Sequence, residues 1–292
     1  MSLPEARERL FIFLQYCIPQ HTLSRLIGYL ADSENPWLKS QLIRLFSHFF
    51  TINIAEAAPD NYEQYASFNA FFTRALKVGV RPIVQDQRAV VSPADGSISE
   101  IGIIKNDQLL QAKGHHYSLK ALLGGDDALA EQFNNGAFAT VYLSPKDYHR
   151  VHMPFAGTLQ KTRYVPGKLF SVNQTTANNV PGLFARNERL ICVFDTVHGP
   201  MVVILVGAMI VAAIETVWSG QVAPQSKKIN TIDMKKTISL EKGGEMGRFK
   251  LGSTAIVLFP ENTVQWNDAL SNGSSIKLGE LLGTLKPLDE QQ

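Results

Sequence analysis

Cysteine is nearly absent: Cys17 and Cys192 are the only two in 292 residues, and neither belongs to a Cys-x-x-Cys pair. That leaves a disulfide framework and a zinc knuckle unsupported, and two free thiols in a reducing compartment are expected. An excess of one charge is also missing. Twenty-eight Lys and Arg stand against 26 Asp and Glu, a formal net charge of +2, with no extended basic run. A protein that grips a phosphate backbone is therefore excluded. Long hydrophobic runs are missing too. The longest, MVVILVGAMIVAAI at 201–214, has 14 residues broken by Gly207, whereas a spanning helix needs about 20. Its β-branched residues and its glycine fit a buried strand pair. The first residues lack a secretory pattern, because Glu5 and Glu8 dilute the positive charge and no small-residue cleavage site follows LFIFLQYCI. Membrane contact, if made, is expected to be peripheral.

What is present divides the chain at about residue 50. Residues 1–50 read as three short helices. Residues 2–5 match a capping box, and Leu10, Phe11, Phe13, Leu14 and Cys17 form a broad apolar face ended by Pro19. A second helix is expected from Thr22. A third has Asn35 as its cap, Pro36 in its first turn, and Trp37, Leu38, Leu42, Leu45, Phe46, Phe49 and Phe50 against Lys39, Arg44 and His48. A basic, aromatic, amphipathic helix suits the water–lipid interface, and equally an ordinary helical subdomain packed on a core. Beyond a linker at 51–61, Ser67 caps the helix FNAFFTRALK. From Ile83 onward, short Val/Ile/Leu/Tyr runs alternate with Gly, Pro, Asn and Asp turns. That pattern predicts a mostly antiparallel β domain over 51–292, sandwich- or barrel-like, within an α+β protein.

Four clusters carry candidate chemistry. In SPADG, Asp95-Gly96 reads first as a hairpin turn. In DYHRVHMP, His149 and His152 read as acid–base groups or as structural or surface histidines rather than metal ligands, because no third ligand lies nearby and on a strand their rings face opposite sides. In GKLFSVN and FARNER, Lys168, Arg186 and Arg189 offer cations for a phosphate or carboxylate, or simply a solvated polar loop. The fourth, KGGEMGRFKLGST, puts four glycines in the ten residues 243–252 and then Ser253-Thr254. It is neither a phosphate loop nor a nucleophile elbow, since both GxxxxGK[ST] and GxSxG are absent.

The Gly252-Ser253 step has its own chemistry. Glycine tolerates a strained or positive-φ backbone, which lets the Ser253 hydroxyl approach the Gly252 carbonyl carbon. Attack gives an N→O acyl shift and an ester. Loss of the Ser253 α-proton expels the upstream chain as a carboxylate. The dehydroalanine that remains tautomerises to an imine, and water converts it to a pyruvoyl group and ammonia. The step needs a base and a group to orient it. Without cleavage, the same serine with a histidine and an aspartate reads as a Ser-His-Asp hydrolase acting on lipid esters. A non-catalytic lipid-binding module is a third reading.

FNAFFTRALKVGVRPI, SPADGSI, YLSPKDYHRVHMPFAG, PGKLFSVN, LFARNER, VGAMIVAAIETVW, KGGEMGRFKLGST and VLFP stand in one order between Phe68 and Pro260. Together they resemble the bacterial pyruvoyl-dependent phosphatidylserine decarboxylase family. The resemblance implies that Ser253 is the self-processing nucleophile and the source of a covalent pyruvoyl cofactor. His152 would be the base that activates it, and Asp95 would hold His152 in orientation. His149 would lie at the substrate and protonate the decarboxylated carbon. It further implies a β chain ending at Gly252, an α chain starting at residue 253, a dimer of these heterodimers, and peripheral attachment to the cytoplasmic face of the inner membrane. Phosphatidylserine would form a Schiff base with the pyruvoyl carbonyl and leave as phosphatidylethanolamine and CO2.

Overall fold

The computed structural model describes residues 3–112, 114–209, 213–223, 227–250 and 252–288. The side chains of the capping box expected at residues 2–5 lie outside this description, as do residues 210–212 of the apolar run and Leu251 of the Leu-Gly-Ser-Thr motif.

Three helices lead the chain: α1 (Leu3–Cys17), α2 (Gln20–Ala31) and α3 (Pro36–Phe49). Proline lacks the N–H a helix interior needs, so Pro19 separates α1 from α2. It takes the N-cap position, which starts α2 two residues before the expected Thr22. Asn35 caps α3 as expected, its side-chain oxygen accepting from the N–H groups of Trp37 at 3.0 Å and Leu38 at 3.1 Å. Two glutamines pin the first two helices to the rest of the protein. Gln15 accepts from the N–H of Ser171 and Gln20 from that of Leu169.

Ser67 caps α4 (Phe68–Phe72). The sequence predicts this helix through residue 77, but tertiary contacts end it five residues earlier. Arg150 Nε donates to the Thr73 carbonyl at 2.9 Å, and Ala75–Leu76 pairs antiparallel with Ala57–Ala58. Helices α2, α3 and α4 share an apolar cluster of Ala31, Ile43, Tyr65, Phe68, Phe71 and Phe72, which runs across residue 50.

The strands that frame the site are, in order, β1 (Ala89–Val91), β2 (Gly96–Ile103), β3 (Ala137–Leu143), β4 (Arg150–His152), β5 (Gly157–Val165), β6 (Arg189–Thr196), β7 (Gly199–Val206), β8 (Ala213–Thr216), β9 (Gly220–Ala223), β10 (Asn230–Asp233), β11 (Ser239–Leu240), β12 (Glu245–Lys250), β13 (Ser253–Phe259), β14 (Val264–Trp266), β15 (Ser275–Ile276) and β16 (Leu281–Leu285). A nine-stranded antiparallel sheet runs β10-β5-β6-β7-β13-β3-β2-β15, with β11 also on β5. Among the described residues its path ends at β10 and β15, so the sheet is open rather than a closed barrel. Four strands, β9-β8-β12-β4, form a second sheet, and β14-β16-β1 a third.

Strand β13 lies between β7 and β3, and all seven of its residues are buried. A strand covered on both faces reads as a continuous apolar run, as AIVLF does. Ile256, Val257, Leu258 and Phe259 each contribute about 1.5–3 kcal/mol by leaving water. The 201–214 run does form buried strands, but they join different sheets: β7 pairs with β6 and β13, and β8 with β9 and β12.

Candidate active site

Two local features mark the Gly252-Ser253 step. Gly252 has φ +53°, and a Cβ built there would meet nothing within 4 Å. Conformation, not crowding, therefore demands glycine, since side-chain-bearing L-residues disfavour this left-handed region. Ser253 opens β13 fully buried, and its Oγ has no hydrogen-bond partner. A buried hydroxyl left unpaired costs about 1–3 kcal/mol, and such exceptions call for a functional reason.

The sheet brings the SPADG segment close. Tyr142 of β3 stands between Ser97 of β2 and Thr254 of β13. The start of β2 is thus two strand spacings, about 10 Å, from the start of β13. Gly96 permits the approach, because a Cβ there would sit 2.1 Å from the Tyr142 carbonyl oxygen. The glycine after Asp95 is a close-packing requirement as well as a turn residue.

The 144–149 loop leads from β3 to β4, and it places His149 at its own end and His152 at the end of β4. Asp147 ties the loop by accepting from the N–H and Oγ of Ser144. His149 is fully buried and stacks on Phe72, with ring centroids 4.0 Å apart. Burial, aided by the nearby Arg74 cation, lowers its pKa to about 3. The carbonyls of Pro145 and Ser144 oppose that shift, without completing a hydrogen bond of good geometry to either ring nitrogen.

His152 is held on both sides of its ring. Nδ1 lies 2.8 Å from the Gly243 carbonyl, and Nε2 lies 3.1 Å from the Tyr148 hydroxyl. A carbonyl only accepts, so Nδ1 carries the proton and Nε2 keeps a lone pair that receives the tyrosine O–H. Burial holds the His152 pKa below its usual value, and burial raises that of Tyr148 to about 12. The pair is therefore a neutral base and a neutral donor at physiological pH.

Asp95 does not make the expected bond to His152. Its carboxylate accepts from Arg81 Nε at 3.0 and 3.1 Å, from Arg81 Nη2 at 2.6 Å, and from the Leu278 N–H at 2.9 Å. Arg81 also pairs with Glu56 at 2.8 Å. A guanidinium offers a bidentate fork that an imidazole N–H cannot match, so it takes the carboxylate. The carbonyl of Gly243 performs the orienting task instead. Asp95 still favours the charged form of His152 through space, as the least of its influences. The link from His152 to Ser253 is likewise not made, since the serine Oγ has no partner.

The third cluster separates into two kinds of cation. Arg189 is buried, and its guanidinium donates to the carbonyls of Leu122, Ala185, Asn187 and Ala121, which makes it a structural clamp. Arg186 lies over the rings of Tyr16 and Phe170, at 5.6 and 5.3 Å, and with Lys168 lines a cavity of about 270 Å³ beside α1 and α2.

Comparison with known proteins places the chain in a family. Residues 68–284 match the family described as Phosphatidylserine decarboxylase, and residues 10–51 match one described as PSD. A phosphatidylserine decarboxylase proenzyme of Alcanivorax borkumensis is 59% identical over 280 residues, covering 95% of this chain and 96% of that protein. The proteins of the same name from Pseudomonas aeruginosa strain LESB58 and Ectopseudomonas mendocina are 57% and 56% identical, covering 96% and 95% of this chain and 98% of each. The chain belongs to the phosphatidylserine decarboxylase family. Asp95, His149, His152, Gly252 and Ser253 all lie within the decarboxylase match at 68–284. Three groups at this candidate site were given no role by the sequence reading: Arg81, Tyr148 and the Gly243 carbonyl. Tyr148 and Gly243 stand inside the DYHRVHMP and KGGEMGRFKLGST motifs, but nothing in those motifs marks them as partners of His152, and only the tertiary fold brings Arg81 to Asp95.

Proposed function

We propose that this chain is a phosphatidylserine decarboxylase that matures by cutting itself between Gly252 and Ser253. The observation that carries the reading is the conjunction at the scissile link: a left-handed glycine with open space around it, followed by a buried serine hydroxyl bonded to nothing. The hydroxyl has no hydrogen bond of its own to break before it attacks the Gly252 carbonyl. Attack moves the acyl group from nitrogen to oxygen. Removal of the Ser253 α-proton expels residues 1–252 as a carboxylate. Hydrolysis of the resulting enamine releases ammonia and leaves a pyruvoyl group at position 253.

His152 suits the base, with a lone pair on Nε2 and a depressed pKa that keeps it neutral. Tyr148 occupies that lone pair, so proton transfer from Ser253 requires the tyrosine to relay it or swing away. Asp95 acts through charge and through Arg81, not by direct contact. The position fits a pyruvoyl group, because burial at residue 253 shields a ketone from water. The group supplies an electron sink for the charge left on carbon when CO2 departs. His149 then protonates that carbon. Buried and neutral, it needs an anion beside it to raise its pKa and load the proton, and an anionic lipid headgroup brings one.

A lipid substrate calls for a membrane surface, and the helices offer one. The inward face of α2 is Gln20, Ser24, Gly28 and Ala31, while Leu26, Tyr29 and Leu30 face out. This inverts the usual arrangement of a soluble helix. Trp37 and Phe49 of α3 are 72% and 70% exposed. No described helix is long and apolar enough to cross a membrane, so the helices are assigned to lie in the interface. A Ser-His-Asp hydrolase would need Asp95 hydrogen-bonded to His152, and that carboxylate is held by Arg81 instead.

Replacement of Ser253 by alanine tests the reading. Ser253→Ala should run as one band at the full 32.3 kDa and lack decarboxylase activity, while the parent chain runs as two fragments, 1–252 and 253–292. A parent chain that stays whole while decarboxylating would overturn it.

A further inference from the structure

Arg74 is a buried cation without an ion pair, and Asp95 favours its charge only from a distance. Arg74 follows α4, its side chain is 5% exposed, and no carboxylate pairs with it among the described residues. Its Nη2 makes only long contacts, 3.4 Å to the Lys146 carbonyl and 3.3 Å to that of Asp147. Its Nε and Nη1 are buried and donate to nothing. Phe71 lies against the guanidinium at 5.7 Å, which covers a face but satisfies no N–H. A buried charge is ordinarily paired, and unpaired donors at that depth are costly.

Arg74 also lines a cleft of about 260 Å³ that reaches Asp95 and Tyr148, the tyrosine bonded to His152. Lys146 and Lys277 stand on the same cleft, both exposed and in no ion pair among the described residues. Arg81, its other arginine, is already committed to Glu56 and Asp95. Of the carboxylates on the cleft, Glu56 and Asp95 are taken by Arg81 and Asp147 accepts from Ser144, so Arg74, Lys146 and Lys277 stand without an ion pair next to Tyr148, and His149 already feels the charge of Arg74.

We propose that Arg74 binds the phosphodiester of the lipid headgroup, with Lys146 and Lys277 drawing the anion into the cleft. The assignment rests on the decarboxylase reading. The headgroup carries a second anion, the carboxylate, but that group leaves as CO2. A guanidinium clamped on it would stabilise the ground state and lose its partner in the transition state, which slows the reaction. The phosphodiester keeps its charge throughout, so gripping it anchors the substrate without penalising the chemistry. Guanidinium and phosphate also match as a bidentate pair.

The test uses the self-processed enzyme with dihexanoyl phosphatidylserine as substrate and dihexanoyl phosphatidylethanolamine as inhibitor. The inhibitor keeps the phosphodiester and lacks the carboxylate. Arg74→Gln should raise KM about ten- to hundredfold, the loss typical of a charged hydrogen-bonded contact, with kcat changed much less. It should raise the inhibition constant of the ethanolamine lipid by the same factor. Arg74→Lys should recover part of both, which a purely structural role does not predict. An unchanged KM overturns the proposal. So does a raised KM with an unchanged inhibition constant, which would put the carboxylate at Arg74. If Arg74→Gln is not processed, calorimetry with the ethanolamine lipid on uncut Ser253→Ala and on Ser253→Ala/Arg74→Gln gives the answer: weaker binding in the double variant supports the assignment, and equal binding overturns it. An unsubstituted enzyme that releases no CO2 from the serine lipid would instead defeat the decarboxylase reading.

Discussion

Gly252→Ala isolates one assumption of the processing mechanism, that the left-handed backbone at residue 252 presents its carbonyl to the Ser253 hydroxyl. The added methyl group meets no atom within 4 Å, so packing is undisturbed. What changes is the backbone preference at φ +53°. Holding an L-residue there costs about 1–2 kcal/mol. If attack requires that conformation, alanine lowers its population by the same free energy, and cleavage slows by about 5- to 30-fold at 1.4 kcal/mol per factor of ten. Loss of the 32.3 kDa precursor on a denaturing gel, followed over time after synthesis stops, gives the rate. The melting temperature serves as the folding control, because the native state loses no more than the same 1–2 kcal/mol and should melt only a few degrees lower. Gly96→Ala is the contrasting case, since its methyl group would overlap the Tyr142 carbonyl oxygen and should impair folding outright. Wild-type cleavage by a well-folded Gly252→Ala protein would refute the geometric argument.

Asp95→Asn removes a charge from Arg81 but leaves Glu56 in place, so a loss of about 1–3 kcal/mol is expected; calorimetry should show a melting temperature several degrees lower, and an unchanged one would contradict the clamp. Acidification should destabilise the fold, because burial lowers the pKa of both His149 and His152. The unfolded chain then binds more protons, and stability falls as pH drops through about 6.5 toward the lower folded values. The cleavage rate should likewise stay flat down to pH 6.5 and decline only below it, and an inflection above pH 6.5 would exclude His152 as a base of depressed pKa. Trp37→Ala/Phe49→Ala should weaken sedimentation with anionic vesicles at least tenfold, given about 1–2 kcal/mol per apolar side chain withdrawn from the interface; unchanged sedimentation would remove these helices from membrane docking.

Local physics made much of this protein readable from its residues. Asn35-Pro36 and Ser67 act as helix starts because a capping side chain needs only its own next few N–H groups. The run after Ser253 reads as a strand from its β-branched and apolar residues, and its continuous apolar character is what burial on both faces demands. Gly252 adopts the positive φ its identity suggests. The losses were all non-local. The helix after Ser67 stops at Phe72 because Arg150 captures a carbonyl 77 residues away in sequence. Asp95 turns from His152 to Arg81 because a better donor arrives from an adjoining segment. The partner of His152 is a backbone carbonyl, and a sequence does not mark which carbonyl will face a given ring. Arg74 is one cation among many until the fold buries it without an ion pair.

The most direct measurement is the intact mass of the purified active protein. The account predicts two polypeptides: residues 1–252 ending in a free carboxylate, and residues 253–292 lighter by one ammonia than a peptide beginning with serine. An active protein with a single mass matching the uncut 292-residue chain would contradict it.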